Sequence, residues 1–405
     1  MAGSWARTRA SERIDAICAA DLETTALRRQ VLDAVRAVVE FDAFVWLLTD
    51  PVTTVGVAPF ARVPCLPELP ALIRAKYATG INRWTALSRS GSRVGLLRDA
   101  VGGKLSRSRV WREVMSRYGV GDVASVVFAD RFGCWGFLDL WRDDSCEPFS
   151  GGDAEFLARF EPAVTMALRR CQSRAFVEVA TPHRHEHGPV VVTLDDDLRI
   201  IGRTSATKAW LDRLLPPVPD EKAIPASIYN VGAQLLAAEA GVDDHPASAR
   251  VHLADGYWLT VRAARLALES DSGSGSDSNP GSGSGSHSRA SGGVLSGGAT
   301  PGGATPGGAT LVVTIEATSA AERLELFART FGLTPREDEL LGLLAIGGDT
   351  RAIARRMAVS ELTVQDHLKS IFGKTGVHDR ITVLSRALGT RRGLSPEDCR
   401  QPDCP

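Results

Sequence analysis

The 405-residue chain predicts two successive α+β units followed by an all-α four-helix domain. Three observations carry that expectation. Helix-like and strand-like patterns alternate through the first three quarters of the chain. A Ser/Gly-rich tract then separates two strand-like runs. Near the C-terminus, apolar stripes at helical spacing recur between closely spaced helix caps and turns.

The bulk numbers limit the function. The chain is 44% hydrophobic and 23% charged, with a formal net charge of −1. It is not a polycation, so any affinity for nucleic acid has to be local. No stretch approaches the ~20 apolar residues that cross a bilayer. The start, MAGSWARTRASERIDAICAADL, lacks the apolar core of a signal peptide. The expected location is the cytoplasm, with no membrane partner. Seven cysteines, none in a CxxC pair, read as reduced thiols.

Residues 1–21 are expected to be a flexible N-terminus. In the first unit, residues 22–175, LETTALRRQVLDAVRAVVE places Leu27, Val31, Ala34, Val35 and Val38 on one helix face. FDAFVWLLTD reads as a strand, Gly121–Asp143 as a hairpin turning at Asp130–Gly133, and GGDAEFLARFEPAVTMALRRCQ as a closing helix. With the loop PVTTVGVAPFARVPCLPELP and the hairpin segment CWGFLDLWRDD, this unit resembles a GAF domain. That resemblance implies a small sensory module with helices packed on an antiparallel sheet.

The second unit, residues 186–317, opens with VVVTLDDDLRIIGRTSATKAWLDRLLP: a strand, an acidic turn, a strand and a short helix. YWLTVRAARLAL and ATLVVTIEA supply its late strands. This unit resembles a PAS domain. Between the late strands, residues 270–309 are almost entirely Gly, Ser, Ala, Thr and Pro. Such a tract offers no side chains to a core and is expected to be disordered. It reads as an overgrown hairpin loop inside one domain, because loop closure costs only ~0.6 kcal/mol per doubling of length. A linker between two domains is the alternative. Residues 393–405, a Pro-rich segment holding Cys399 and Cys404, read as a disordered tail.

Residues 329–392 carry the most specific pattern. Thr334-Pro335-Arg336-Glu337 is a helix start: an N-cap, a proline at the first position and a glutamate that completes a capping box. Leu340, Leu341 and Leu344 form its apolar stripe, and Gly347-Gly348 ends it. Asp349 or Thr350 caps a second helix with Ile353, Ala354 and Met357 inward. Ala358-Val359-Ser360 makes a tight turn, and Ser360 caps a third helix. Val364, Leu368 and Ile371 form the buried face of that helix, while Leu362, Gln365, Asp366, Lys369 and Gly373 lie opposite. A last helix after Asp379 is expected to bury Ile381, Leu384 and Leu388. The segment holds 11 Lys/Arg against 7 Asp/Glu, a net +4 in a chain of net −1. Two short helices joined by a turn, the second with a polar outer face, form the geometry that enters a major groove.

LTPRE, S-x-x-TV-x-x-HL, I-x-x-K and GV-x-x-R fall in register along this segment, which resembles the LuxR-type helix-turn-helix family. The resemblance implies that double-stranded DNA is the partner. It implies that Thr363 and Lys374 touch phosphates and that Gln365, Asp366 and Lys369 meet base edges. The family usually carries lysine where Gln365 stands. Glutamine suits adenine and lysine guanine, so the preferred sites are expected to differ. His367, on the flank of the buried face, is expected to pack or to contact the DNA backbone.

Other chemistry finds little footing. Gly373-Lys374-Thr375 resembles the end of a P-loop, but Leu368 stands where the first glycine belongs. Gly103-Lys104 fails likewise, with Arg98 at the first-glycine position. His183, His185 and His187 read as an exposed joint rather than a metal site. The aromatics Trp46, Tyr77, Trp84, Trp111, Tyr118, Trp135 and Trp141 are candidate walls of a small-molecule pocket, Trp46, Trp84 and Trp135 first among them, with core packing as the plainer reading. No catalytic residue, metal or cofactor is expected. The expected function is a homodimeric, DNA-binding transcription regulator tuned by an effector or partner. The alternative is a small-molecule sensor acting through protein partners, its helix-turn-helix serving as a docking or dimerisation module.

Overall fold

A computed structural model describes residues 2–177, 190–214, 226–253, 257–266 and 310–389. The chain opens with α1 (Ala2–Ala19) and α2 (Thr24–Arg36), then β1 (Ala43–Thr49) and β2 (Gly56–Arg62). A group of shorter elements follows: α3 (Leu69–Tyr77), α4 (Trp84–Arg89), β3 (Val94–Leu96), α5 (Leu97–Ala100) and α6 (Arg109–Glu113). The hairpin β4 (Val120–Asp130) and β5 (Gly133–Asp143) leads into α7 (Gly151–Arg174). The five strands form an antiparallel sheet of order β2-β1-β5-β4-β3.

One face of this sheet is sealed by α1, α2 and α7 over a core that includes Ile14, Val31, Trp46, Phe128 and Phe160. The expectation of a flexible N-terminus is overturned here. Residues 2–19 are helical, with Ala10, Ile14, Ile17 and Cys18 buried and Arg7 paired to Asp153 at 2.6 Å. These four residues recur at helical spacing, so a short stripe was present. Its small side chains lie behind an arginine-rich start, and the stripe gains its value only when α7 covers it. The hairpin turns where its sequence indicates, Asp130 facing Gly133. Gly133 adopts a φ of 153°, and a Cβ there would sit 2.5 Å from the Pro51 carbonyl oxygen, which explains why glycine occupies the position.

The second unit comprises β6 (Val190–Leu194), β7 (Ile200–Arg203), α8 (Thr207–Leu214), α9 (Ala226–Glu239), β8 (Ser248–His252), β9 (Trp258–Leu266) and β10 (Thr310–Ala317). Its sheet runs β7-β6-β10-β9-β8, the same strand order as the first. Strands β9 and β10 pair directly, Leu266 opposite Thr310, so the runs on either side of residues 267–309 are neighbours in one sheet. The tract 270–309, the tail 393–405 and the histidines 183, 185 and 187 lie outside the described residues. Strands β2 and β8 and helix α9 carry no strong signal in the sequence, their apolar residues being placed by partners distant in the chain.

The two units share one core. Leu47, Val57, Tyr77, Trp84 and Phe137 of the first pack with Val192, Ile228, Val231, Val261 and Val313 of the second. Buried polar groups tie this joint. Arg250 grips Asp50 through two 2.6 Å bonds. Arg83 pairs with Asp243 at 2.6 Å and donates to Gln234 at 3.0 Å. Asn230 Nδ2 donates to the Gly56 carbonyl at 2.7 Å.

Helix α10 (Ala320–Thr330), opened by a Ser319/Glu322 capping box, leaves the second sheet and starts the C-terminal bundle. The bundle comprises α11 (Pro335–Ala345), α12 (Thr350–Met357), α13 (Glu361–Thr375) and α14 (Arg380–Leu388). Its core runs without a break into Phe176, which follows α7, and Trp258, which opens β9. If α1 is part of the folded body, Ile14→Ala should lower the unfolding free energy by roughly 2–4 kcal/mol. Denaturant titration would show this, and a change under 0.5 kcal/mol would place α1 outside the core.

Candidate nucleic-acid interface

The bundle is built on caps. Thr334 accepts from the Glu337 amide while the Glu337 carboxylate accepts from the Thr334 amide at 2.6 Å. Asp349 caps α12 and Ser360 caps α13, each accepting from the amide three residues on at 2.7 and 3.0 Å. Between α12 and α13 the chain reverses through Ala358, which takes a left-handed φ of 54°. Gly376, with φ 64°, ends α13. Asp379 caps α14.

Helix α13 is divided as its spacing implies. Val364, Leu368 and Ile371 are buried, while Leu362, Gln365, Asp366, Lys369 and Gly373 are exposed. No described part of the chain covers this outer face. Gln365, Asp366 and Lys369 therefore stand together in solvent, Asp366 and Lys369 3.6 Å apart. Thr363 sits at the rim, its hydroxyl 2.9 Å from that of Ser360. His367 is half-buried on the flank.

Lys374 also makes contacts within the bundle that the sequence did not indicate. Its ammonium donates to the Glu337 carboxylate at 2.6 Å and to the Gly332 carbonyl at 3.1 Å. The ammonium is thus paired at the edge of the bundle, on a residue that stays exposed. Ser370 adds a 2.6 Å bond to the other Glu337 oxygen. Burial alone would raise the Glu337 pKa, but the bonds from Lys374, Ser370 and Thr334 outweigh it and hold the carboxyl at about 2. No sequence rule links residues 33 and 37 positions apart, so this clamp was not legible beforehand.

Helix α14 is also rotated from the expected register. Val383 and Ala387 are its buried residues, Leu384 and Leu388 are half-buried, and Ile381 is 69% exposed. Val383 and Ala387 pack into the bundle core in that rotation, with Arg380 bonded to Thr350 at 3.1 Å and Arg386 to the Thr375 carbonyl at 3.3 Å. Sequence reasoning also missed Arg351, Arg355 and Arg356 as a group. They stand exposed on α12, without an acidic partner among the described residues. The segment's basic excess and the helix expected after Asp349 were the available signals, and the folded helix shows all three side chains exposed.

The candidate tryptophans do not converge. Trp46 and Trp135 lie in the core under α7, whereas Trp84 lies on the opposite face of the sheet, stacked on Phe137 at 4.6 Å. The Trp84 ring N–H donates to the Thr54 carbonyl and that of Trp135 to Asp130. All three are core residues, and a ligand would have to displace packed side chains to reach them. A surface cleft of about 380 Å³ on the first unit is walled by two of the other aromatics, Tyr118 and Trp141, with Arg62 and Asp143.

Short helices α12 and α13, joined by a tight turn, with a hydrogen-bonding outer face on the second, define a helix-turn-helix module. Residues 332–387 match the family model described as bacterial regulatory proteins, luxR family, so the C-terminal domain is a LuxR-type helix-turn-helix. The chain is 41% identical over 54 residues to a monoamine regulon transcriptional regulator of Klebsiella aerogenes, covering 13% of this chain and 24% of that protein. It is 42% identical over 60 residues to a probable HTH-type transcriptional regulator, GfsR, of Streptomyces halstedii, covering 15% and 25%. The chain thus aligns with about a quarter of the length of these relatives. Among the described residues no helix is long and apolar enough to cross a membrane.

The clamp is acid-sensitive in a defined direction. A carboxyl lowered from 4.5 to about 2 contributes stability that is complete above pH 4.5 and is lost as pH falls from there toward 2. Glu337→Gln should destabilise the C-terminal domain by on the order of 2 kcal/mol at pH 7 and flatten its acid-unfolding profile in that window. Helix-specific hydrogen exchange against pH would check both.

Proposed function

We propose that this protein is a sequence-specific DNA-binding transcription regulator of the cytoplasm. The observation that carries the reading is the outer face of α13. It holds an amide, a carboxylate and an ammonium exposed together, on a helix whose other side is locked into the bundle. Gln365, Asp366 and Lys369 would meet base edges, and Thr363 would touch a phosphate beside the Ser360 cap. Arg351, Arg355 and Arg356 on α12 would follow the backbone, the place the first helix of such a module takes. Lys374 would act by holding α13 against α11. With one recognition helix per chain, a homodimer on two half-sites about 34–36 Å apart fits the module.

The N-terminal units are read as GAF-like and PAS-like sensory domains that modulate the helix-turn-helix. Antiparallel five-stranded sheets with flanking helices, repeated in one strand order, support that reading. The route to the DNA-binding domain would be α10. Arg250, which holds Asp50 of the first unit, also bonds the Glu322 carbonyl at 3.3 Å and the Glu325 carboxylate at 3.0 Å on α10. Phe176 packs its ring on Trp258, Phe327 and Phe331 at 5.2–6.2 Å. Arg329 donates to the Phe132 carbonyl at the tip of the β4–β5 hairpin. A small-molecule effector is the expected input, and the cleft beside Trp141 is where we would look for it first.

Two measurements test the proposal. In a gel shift with selected genomic fragments, Lys369→Ala should weaken binding, and Gln365→Lys should change the preferred base at one position by about 1–3 kcal/mol. Unchanged binding in both variants would move the helix-turn-helix to a protein-docking role. Coupling through α10 is reciprocal by linkage, so operator DNA should alter amide exchange around Arg250 and Phe176 as well as in α13. Exchange changes confined to the bundle would remove the modulatory reading.

A further inference from the structure

This inference rests on the DNA-binding reading and adds which base feature the helix reads. Leu362 is the second residue of α13, in its first turn after the Ser360 cap. Its side chain is 69% exposed. The other apolar side chains of α13 are covered to different degrees: Val364, Leu368 and Ile371 are buried and Phe372 is half-buried.

The position of Leu362 on the helix is decisive. At 100° per residue it lies roughly 150° from the centre of the Val364–Leu368–Ile371 stripe, so it is not the frayed edge of that stripe. It lies inside the arc of roughly 100° that runs from Gln365 through Lys369 to Asp366. Gly373 continues the same face, and a Cβ there would meet nothing within 4 Å. An uncovered leucine therefore stands at the centre of an otherwise polar reading surface. The N-terminal turn is the part of a recognition helix that approaches base edges.

The apolar group that base pairs present in the major groove is the thymine C5 methyl. We propose that Leu362 packs on that methyl, next to the base pairs that Gln365 and Asp366 face. A site bound by this protein would then contain a thymine read by apolar contact. Its neighbours would suit an amide that favours adenine and a carboxylate that accepts from a cytosine amino group. Leu362 would set specificity without adding to the salt-dependent phosphate term.

The test replaces each thymine of a selected half-site, singly, by 2′-deoxyuridine, which removes the methyl and leaves every hydrogen-bonding group in place. One replacement should weaken wild-type binding roughly fourfold, the transfer free energy of one methyl group. Leu362→Ala should weaken the unmodified site at least as much and be insensitive to that replacement, so the two changes are not additive. Leu362→Met, which keeps the apolar reach, should retain the sensitivity. Additive effects at every thymine, or no sensitive thymine, would overturn the proposal while leaving DNA binding intact. Absence of any specifically bound duplex would instead remove the DNA-binding reading on which the proposal stands.

Discussion

The position of helix α13 and its exposed face depends on one buried carboxylate. Glu337 closes the capping box at the start of α11 and, with the same two oxygens, receives Ser370 and Lys374 from α13. A cap that stabilises one helix thus also fixes the position of another. The group is 3% exposed, and a buried carboxylate persists only where its charge and lone pairs are satisfied. Removing Lys374 would therefore leave the charge without its countercharge, held only by the Ser370 hydroxyl and the Thr334 amide. The apolar stripe of α13 sets which side faces inward; Glu337 sets how far along α11 the helix sits. Together they hold Gln365, Asp366 and Lys369 at a defined angle on the exposed face of α13.

A second constraint joins the bundle to the rest of the chain. Helix α10 faces three ways: toward the β4–β5 hairpin through Arg329, toward the second sheet through Glu322 and Glu325, and toward α14 through Arg323. Arg323 lies over the Phe176 ring and donates to the Arg386 carbonyl, and burial lowers its pKa to about 10. Arg250 behaves oppositely. Burial acts to lower its pKa, but hydrogen bonding to Asp50 and the charges of Asp50 and Glu325 leave it raised. Its guanidinium stays charged at the meeting point of both units and α10. A shift of either sheet relative to the other would have to move or break that ion pair.

The helix-turn-helix was legible because its signals are local. A Thr-Pro-x-Glu start, an Asp and a Ser cap, a glycine stop and a 3.6-residue stripe each depend on residues within one or two turns. The β4–β5 hairpin and the strand–acidic turn–strand opening of the second unit were legible for the same reason. Helix α1 and strand β8 were not, since their apolar residues are too few to stand out until a distant element covers them. The rotation of α14 escaped because an amphipathic helix with apolar residues at 381, 383, 384, 387 and 388 admits two stripes. Packing against the rest of the bundle core selects the one with Val383 and Ala387.

By itself, then, the amino-acid order determined which segments are helices or strands in the recognition module and which side of α13 is polar. It also placed the Ser/Gly tract between two strand-forming runs. Only the tertiary structure decided that Lys374 is a clamp, that the tryptophans are split across two faces of a sheet, and that three separate elements converge on α10. Local order follows from hydrogen bonds and side-chain spacing within a turn. Convergence depends on burial, and burial is defined only once residues hundreds of positions apart have excluded water from one another.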